Sequence, residues 1–330
     1  MDQGLYSYSR LSSQAMGSLV VLNYDLPGFL NCRFYVLGLH DNYLIESSTQ
    51  KYILRLYRND WRSNEEVNFE LDLLAFLSSQ CDLVASPLLS KTGGKFFVID
   101  SPEGKRAAAL FKYADGYAPE NNISIEESTL LGTAIATIHR ISNTFSTPHH
   151  RPILDIPYLL DDSLIAIAPF LDVDARTYLG DLQSRLKDNL AGLSKELHVF
   201  GICIGDVNPS NFHINENKQI TVFDFDQCGY GYRAFEIGKY ISSIHYVKRK
   251  QEVAHAFIDG YQQIFKLSKA ELEAIPYFEM LAVIWVLAIN VYNIDRTGHK
   301  FFEKTFWDRR VNILKELDNA ILSKQNLSTD

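Results

Sequence analysis

The chain has 330 residues, 46% hydrophobic and 22% charged, with a net charge of -8 at pH 7. That length supports one large domain or two lobes with a substantial core, and the composition is ordinary for a soluble globular protein. The acidic balance argues against a nucleic-acid binder, whose footprint is basic, and permits a cationic substrate.

Taken in chain order, residues 9–24 can hold a short helix before the Pro27-Gly28 break. The first ten residues, MDQGLYSYSR, have neither a basic n-region nor an apolar h-region, so no secretory signal is expected. Residues 34–39, 43–46 and 52–57 read as short strands rich in aromatic and aliphatic residues, with a polar hairpin turn over 47–51. From Asn64 the period changes: Val67, Leu71, Leu74 and Leu77 recur at helical spacing, ending near residues 78–80. Two more strands follow at 95–100 and 107–113, giving the order β-β-β-α-β-β. Beyond Asp115-Gly116 the pattern is mainly helical, with a helix at 130–141, two within 158–197, and helical periodicity over 234–322. The most apolar run, residues 280–291, is shorter than the roughly 20 residues that span a bilayer and reads as a buried helix, so no membrane partner is expected. Four scattered cysteines (Cys32, Cys81, Cys203, Cys228) form no CxxC pair and read as reduced thiols of a cytoplasmic protein. The expected class is α+β: a small antiparallel-sheet lobe with one main helix over residues 1–113, a connector at 111–116, and a larger helical lobe over 114–330.

One island interrupts the helical half. Residues 199–226 are short apolar runs broken by Asn, Pro and Gly, and they include GDVNPSNFHINENKQITVFDFD at 205–226. Irregular segments set among rigid elements are where sites tend to lie. Phosphoryl transfer from ATP needs a positioned hydroxyl, a divalent metal and hard oxygen ligands for it. Asp206 followed five positions later by Asn211 fits a turn presenting a base and a metal-ligand amide. Pro209 stiffens it. The following strand, residues 219–225, would carry Asp224 to face Asn211 across a hairpin and share a Mg²⁺. Each of these residues alone can equally cap a turn or end a strand in solvent. The joint pattern G-D-x-x-x-x-N, strand, D-F-D is far more specific.

This pattern resembles the aminoglycoside phosphotransferase, homoserine kinase and choline kinase-like family of protein-kinase-like fold, whose usual signature is H-G-D-x-x-x-x-N followed by D-[FW]-[DEG]. The resemblance extends, in order, over most of residues 34–241. YILRLYR (52–58) looks like the family's third strand, FELDLLAFL (69–77) like its following helix, LLGTAIATIHRI (130–141) like its LG-x-x-LA-x-LH helix, and GYGYRAFEIGKYI (229–241) like its G-x-R-x-x-D-[IL] segment. The arrangement is similar to a bacterial stress-response kinase branch.

The resemblance implies an ATP- and Mg²⁺-dependent kinase acting on a hydroxyl of a small molecule, with aminoglycoside-, homoserine- or choline-like acceptors. A protein Ser/Thr kinase and a catalytically weak pseudokinase stay open as alternatives. Asp206 would be the catalytic aspartate, and Asn211 and Asp224 the metal ligands. Arg55, where many members have lysine, would contact the ATP phosphates, and Glu70 would pair with it. Gly38 and Asn42 would lie at the phosphate-covering turn, and Phe111 and Tyr113 at the connector where adenine binds backbone. Three departures stand out. Ile204 replaces the histidine of H-G-D, implying weaker bracing, Asn208 stands where a second histidine is frequent, and Glu236 replaces an aspartate. The acceptor pocket is expected from the helices after Asp226 and from residues 158–174, near Asp155, Asp161, Asp162, Asp172 and Asp174. Residues 292–310 would wall it or pack the last helix.

Overall fold

The structure is a computed structural model that describes residues 6–327. In chain order its elements are α1 (Ser13–Asn23), β1 (Phe29–Leu37), β2 (Asp41–Ser47), β3 (Lys51–Leu56), α2 (Asn64–Gln80), β4 (Phe97–Ser101), β5 (Gly104–Lys112), α3 (Ile125–Ser142), α4 (Asp162–Ile167), α5 (Val173–Leu190), β6 (Phe200–Cys203), β7 (Phe212–Ile214), β8 (Ile220–Val222), β9 (Gly229–Tyr232), α6 (Arg233–Ser243), α7 (Lys250–Gln262), α8 (Lys269–Tyr292), α9 (Ile294–Thr297) and α10 (Lys304–Leu327). Two compact units emerge. The first takes the chain up to Tyr117 together with Thr144–Arg151 and Phe212–Phe223, and the second takes Ala118–Asn143, Pro152–Asn211 and the chain from Asp224 onward.

The first unit is built on a five-stranded sheet of order β1-β2-β3-β5-β4, antiparallel at every pairing. Side chains alternate across a strand, so Tyr52 and Leu54 of β3 face a core shared with Met16 and Val20 of α1 and with Tyr24 just after it, while Ile53 and Arg55 take the other face. β1 begins at Phe29, well before the expected residue 34, because the turn ends at Gly28 (φ +61°). Its burial hardly alternates, which hid its first half from a period-2 reading. The β7–β8 hairpin also belongs to this unit, where Val222 exchanges backbone hydrogen bonds with Leu83 and Ala85 (2.8 and 3.0 Å).

In the second unit α3 starts at Ile125, earlier than the expected residue 130. Ser124 accepts the Glu127 amide and Glu127 returns the bond to the Ser124 amide, a capping box that sets the true start. α3 and α7 approach closely, since a Cβ on Gly132 or Gly260 would sit 2.1 Å from the carbonyl oxygen of Phe257 or Thr129. The two helices expected over 158–197 are a short, broken one (a π turn, α4 and a 3-10 turn, ending at Phe170) and α5, which stops at Leu190. The apolar run at 280–291 is the second half of the 24-residue α8. α8 is long and apolar enough to cross a membrane by length and composition, yet 61% of its apolar window is buried inside the protein.

Candidate active site

In the first unit the register of the sheet places Asn42 of β2 and Ala109 of β5 directly across from Arg55, so these three share one sheet face. Arg55 Nη1 lies 2.8 Å from Glu70 Oε1 on α2, with side chains 10% and 0% exposed. α2 is set by a capping box of Ser63 and Glu66, which points Glu70 inward one turn later. The buried Glu70 also accepts the Tyr57 hydroxyl at 3.0 Å and has Arg151 Nη2 3.9 Å away. A buried carboxylate is tolerable only when paired and hydrogen-bonded, and Glu70 is both. The Arg55 guanidinium lies over the Phe111 ring at 5.3 Å, so its direction is fixed from two sides.

Phe111, Tyr113 and Gly38 are each tied into the backbone of this unit. Phe111 lies inside β5, paired with Ile53, because the ladder continues past the apolar run into Lys112. The amides of Lys112 and Tyr113 are taken by the carbonyls of Ser86 and Lys51 (2.9 and 3.2 Å), so these two donors are not offered to a base. Tyr113 packs its ring edge-on against His213. Gly38 lies in the turn between β1 and β2, but its N–H closes that turn on the His40 carbonyl at 3.0 Å and is not presented outward.

In the second unit β6 pairs with β9 and delivers the chain to Ile204 and Gly205. Gly205 has φ +84°, and a Cβ there would meet the Gln227 carbonyl at 2.1 Å, so only glycine fits this turn. Asp206 follows, one-third exposed. Asn211 Nδ2 donates to the Asp206 backbone carbonyl and to its Oδ2, both at 2.9 Å. Asn208, standing where a histidine was expected, makes an Asx turn instead: its Oδ1 accepts the Ser210 amide at 2.8 Å. Lys239 of α6 places Nζ 2.6 Å from Asp206 Oδ1.

The brace beneath this loop differs from the family's histidine. The Ile204 side chain is buried, and its amide and that of Gly205 both donate to the fully buried Glu236. Glu236 sits in the first turn of α6, where the helix dipole favours an anion. His139 completes the brace. Its Nε2–H donates to Glu236 (3.2 Å) and its Nδ1 accepts the Tyr261 hydroxyl (2.8 Å). Burial pushes the His139 pKa down, consistent with a neutral ring. Cys203 joins His139 and Glu236 in a tight buried cluster, but burial holds its thiol well above the usual range and the other two spend their lone pairs on the brace, so the cluster is structural.

The expected strand at 219–225 ends at Val222. Asp224 lies beyond the ladder with φ +64°, a left-handed conformation that is uncommon for a residue with a Cβ and concentrates at functional sites. Asn211 uses its NH₂ group on Asp206, which turns its Oδ1, a hard oxygen of the kind Mg²⁺ takes, away from that contact. The donor set of Asn211 and Asp224 therefore fits a divalent cation.

Three of the five acidic residues expected to line an acceptor pocket have other partners. Asp155 Oδ1 accepts the Tyr158 amide at 3.2 Å, Asp161 takes Gln183 and Lys187 (2.6 and 2.8 Å), and Asp172 caps α5 and meets Lys304. A cavity of about 540 Å³ lined by Asp172, Asp174, Lys304 and Trp307 shares no residue with the catalytic loop. A second cavity of about 350 Å³ is lined by Asn208, Pro209 and Ser210 of that loop together with Lys239, Val283, Val286 and Arg310. Thus the segment at 292–310 contributes Arg310 to that wall, whereas its Trp307 stacks on Phe170. Lys239 and Arg310 were missed by sequence reasoning. Lys239 carried one signal, a cation three positions after Glu236 on the same face of α6.

Comparison with known proteins places this geometry. Residues 35–273 match the model of a phosphotransferase enzyme family. An uncharacterized protein of Synechocystis is 36% identical over 315 residues, covering 95% of this chain and 87% of that protein. An uncharacterized protein of Deinococcus radiodurans is 30% identical, covering 94% and 91%. Among solved structures, a microcompartment-associated aminopropanol kinase superposes with a TM-score of 0.77 at 22% identity, covering 96% of this chain and 98% of its own. An amicoumacin kinase in complex with AMP-PNP and Ca²⁺ gives 0.77 at 21% identity, covering 93% and 94%. The chain belongs to the phosphotransferase enzyme family and has a kinase-like fold.

Proposed function

We propose that the protein transfers the γ-phosphate of ATP to a hydroxyl of a small molecule in a Mg²⁺-dependent reaction, with Asp206 as the catalytic carboxylate. The observation that carries this reading is the fixing of Asp206 on both oxygens, by Lys239 at 2.6 Å and Asn211 at 2.9 Å, while the side chain keeps a third of its surface open. A carboxylate held in this way can receive a hydroxyl without searching for its orientation. Residues 1–113 serve the nucleotide and residues 114–330 the transfer. Arg55, aimed by Glu70, engages the phosphates as a fork of donors, and Asn42 and the turn at Gly38 flank it. Phe111 and Tyr113 border the base.

Asn211 and Asp224 hold the metal, which supplies charge neutralisation on the transferring phosphate. Asp206 accepts or orients the proton as the acceptor oxygen forms its bond to phosphorus, the bond from phosphorus to the β,γ-bridging oxygen breaks, and ADP leaves. Support for the nucleotide and cation comes from the amicoumacin kinase complex with AMP-PNP and Ca²⁺ and from a spectinomycin phosphotransferase complex with ADP. The scattered cysteines, with no CxxC pair, fit a cytoplasmic, ATP-rich setting.

The test is ATP consumption against a panel of hydroxylated small molecules, with and without Mg²⁺. Asp206→Ala is expected to lower turnover by roughly 10²–10⁴-fold while Mg-ATP binding by calorimetry persists. Turnover that survives Asp206→Ala removes the assignment. Phosphate appearing only on protein in a lysate redirects the acceptor to a polypeptide.

A further inference from the structure

The cavity beside the catalytic loop carries a charge opposite to the one the acidic sequence invites. It lies entirely within the second unit and opens between the Asn208–Ser210 turn, α6 and α8. Lys239 in its lining is committed to Asp206. His245 and Arg310 line it as well. Arg310 is half-buried, its guanidinium lies 4.8 Å from the Phe306 ring centroid, and no carboxylate pairs with it among the described residues. Among the described residues Glu120 is the only acid in the lining; it is exposed. Two glutamates whose charge His245 feels, Glu279 and Glu316, lie outside the lining, and Glu279 is taken by Lys250 at 2.6 Å. The remaining walls are amide or hydroxyl groups and the apolar stripe of α8.

A half-buried cation without a carboxylate favours a ligand that brings one. An ammonium in the same place would meet Arg310 as a like charge and find no buried acid to pair with. At about 350 Å³ the cavity sits at the low end of small-molecule sites, which run from about 300 Å³, so a short-chain metabolite suits it. Resting on the kinase reading above, we infer that the acceptor is a small hydroxylated anion, its carboxylate or phosphate held by Arg310 in this cavity and its hydroxyl presented to Asp206, which Lys239 of the same lining holds.

The experiment uses four compounds of one three-carbon skeleton: glycerate, glycerol 3-phosphate, glycerol and 3-amino-1,2-propanediol. Their binding to the full chain is measured by calorimetry in the presence of Mg-AMP-PNP, for wild type, Arg310→Gln and Arg310→Lys. At least one anion is expected to bind about tenfold or more tightly than glycerol and the amino-diol. Whichever anion leads separates carboxylate from phosphate. Arg310→Gln should erase the preference and Arg310→Lys keep part of it. The inference is overturned if the amino-diol binds as tightly as either anion, if neither anion binds, or if the preference survives Arg310→Gln. Failure of Mg-AMP-PNP itself to bind is a separate result, and it counts against the kinase reading.

Discussion

Two carboxylate–cation pairs, one in each unit, are built in opposite senses. In the first, Glu70 is fully buried and Arg55, with 10% of its side chain exposed, is the more accessible member. In the second, Lys239 is 5% exposed and Asp206 is open over a third of its side chain. The buried member of each pair has further structural ties: Glu70 takes the Tyr57 hydroxyl, and Lys239 belongs to the helix whose Glu236 holds the loop. The difference teaches which member works. On the function proposed above, the more buried member is the positioning residue and the more exposed one meets a ligand, a cation for phosphates in one unit and an anion for a hydroxyl in the other.

The largest way to break this contrast is at Lys239. Lys239→Met should lower kcat by about 100-fold, the scale of a catalytic group set loose by a fraction of a side chain, and leave the KM for ATP within about twofold. Lys239→Arg should recover part of kcat. A change confined to the KM for ATP would show that Lys239 serves the nucleotide, and the two pairs would then do the same job.

The mirror change is Glu70→Gln. Arg55 loses the charge that aims it, and the KM for ATP should rise about tenfold, equivalent to ~1.4 kcal/mol, with a smaller effect on kcat. The kinase logic of this ion pair requires both members in place. Steady-state kinetics at saturating acceptor reads the split, and an unchanged KM for ATP would reduce Glu70 to a packing role.

What the sequence disclosed follows the same line. Asp206 and Asn211 were legible because they meet across one turn, and a turn writes its residue types at fixed spacing. Arg55 and Glu70 were legible because a strand followed by a capped helix is a local pattern, and the kinase resemblance supplied the pairing. Lys239 and Arg310 were not, since each meets its neighbours through tertiary packing of helices that no local spacing records. The partners of the acidic residues at 155–174 were hidden for the converse reason. Composition shows the charge of Asp161 and Asp172 but not that Lys187, Gln183 and a helix N-terminus already use it. The expected strand through Phe225 failed at one backbone torsion, the left-handed Asp224, which a β-rich composition conceals.

The smallest effect, and the one that sharpens the contrast furthest, concerns the brace under Asp206. Burial lowers the His139 pKa below its usual 6.5, so over the window below pH 6.5 the unfolded chain binds a proton that the folded chain refuses. Stability is then complete above about pH 6.5 and is lost as pH falls toward the depressed folded value, at up to ~1.4 kcal/mol per pH unit for one proton. Protonation would also place a second proton donor against the Tyr261 hydroxyl, forcing that contact to reverse or break. Thermal melts between pH 7.5 and 5, compared for wild type and His139→Gln, read this directly, because the slope and not the absolute melting temperature is diagnostic. Wild type should lose stability more steeply over that range. Equal slopes would mean that His139 takes up its proton without loss of the fold, and that Glu236 holds the Ile204 and Gly205 amides without its help.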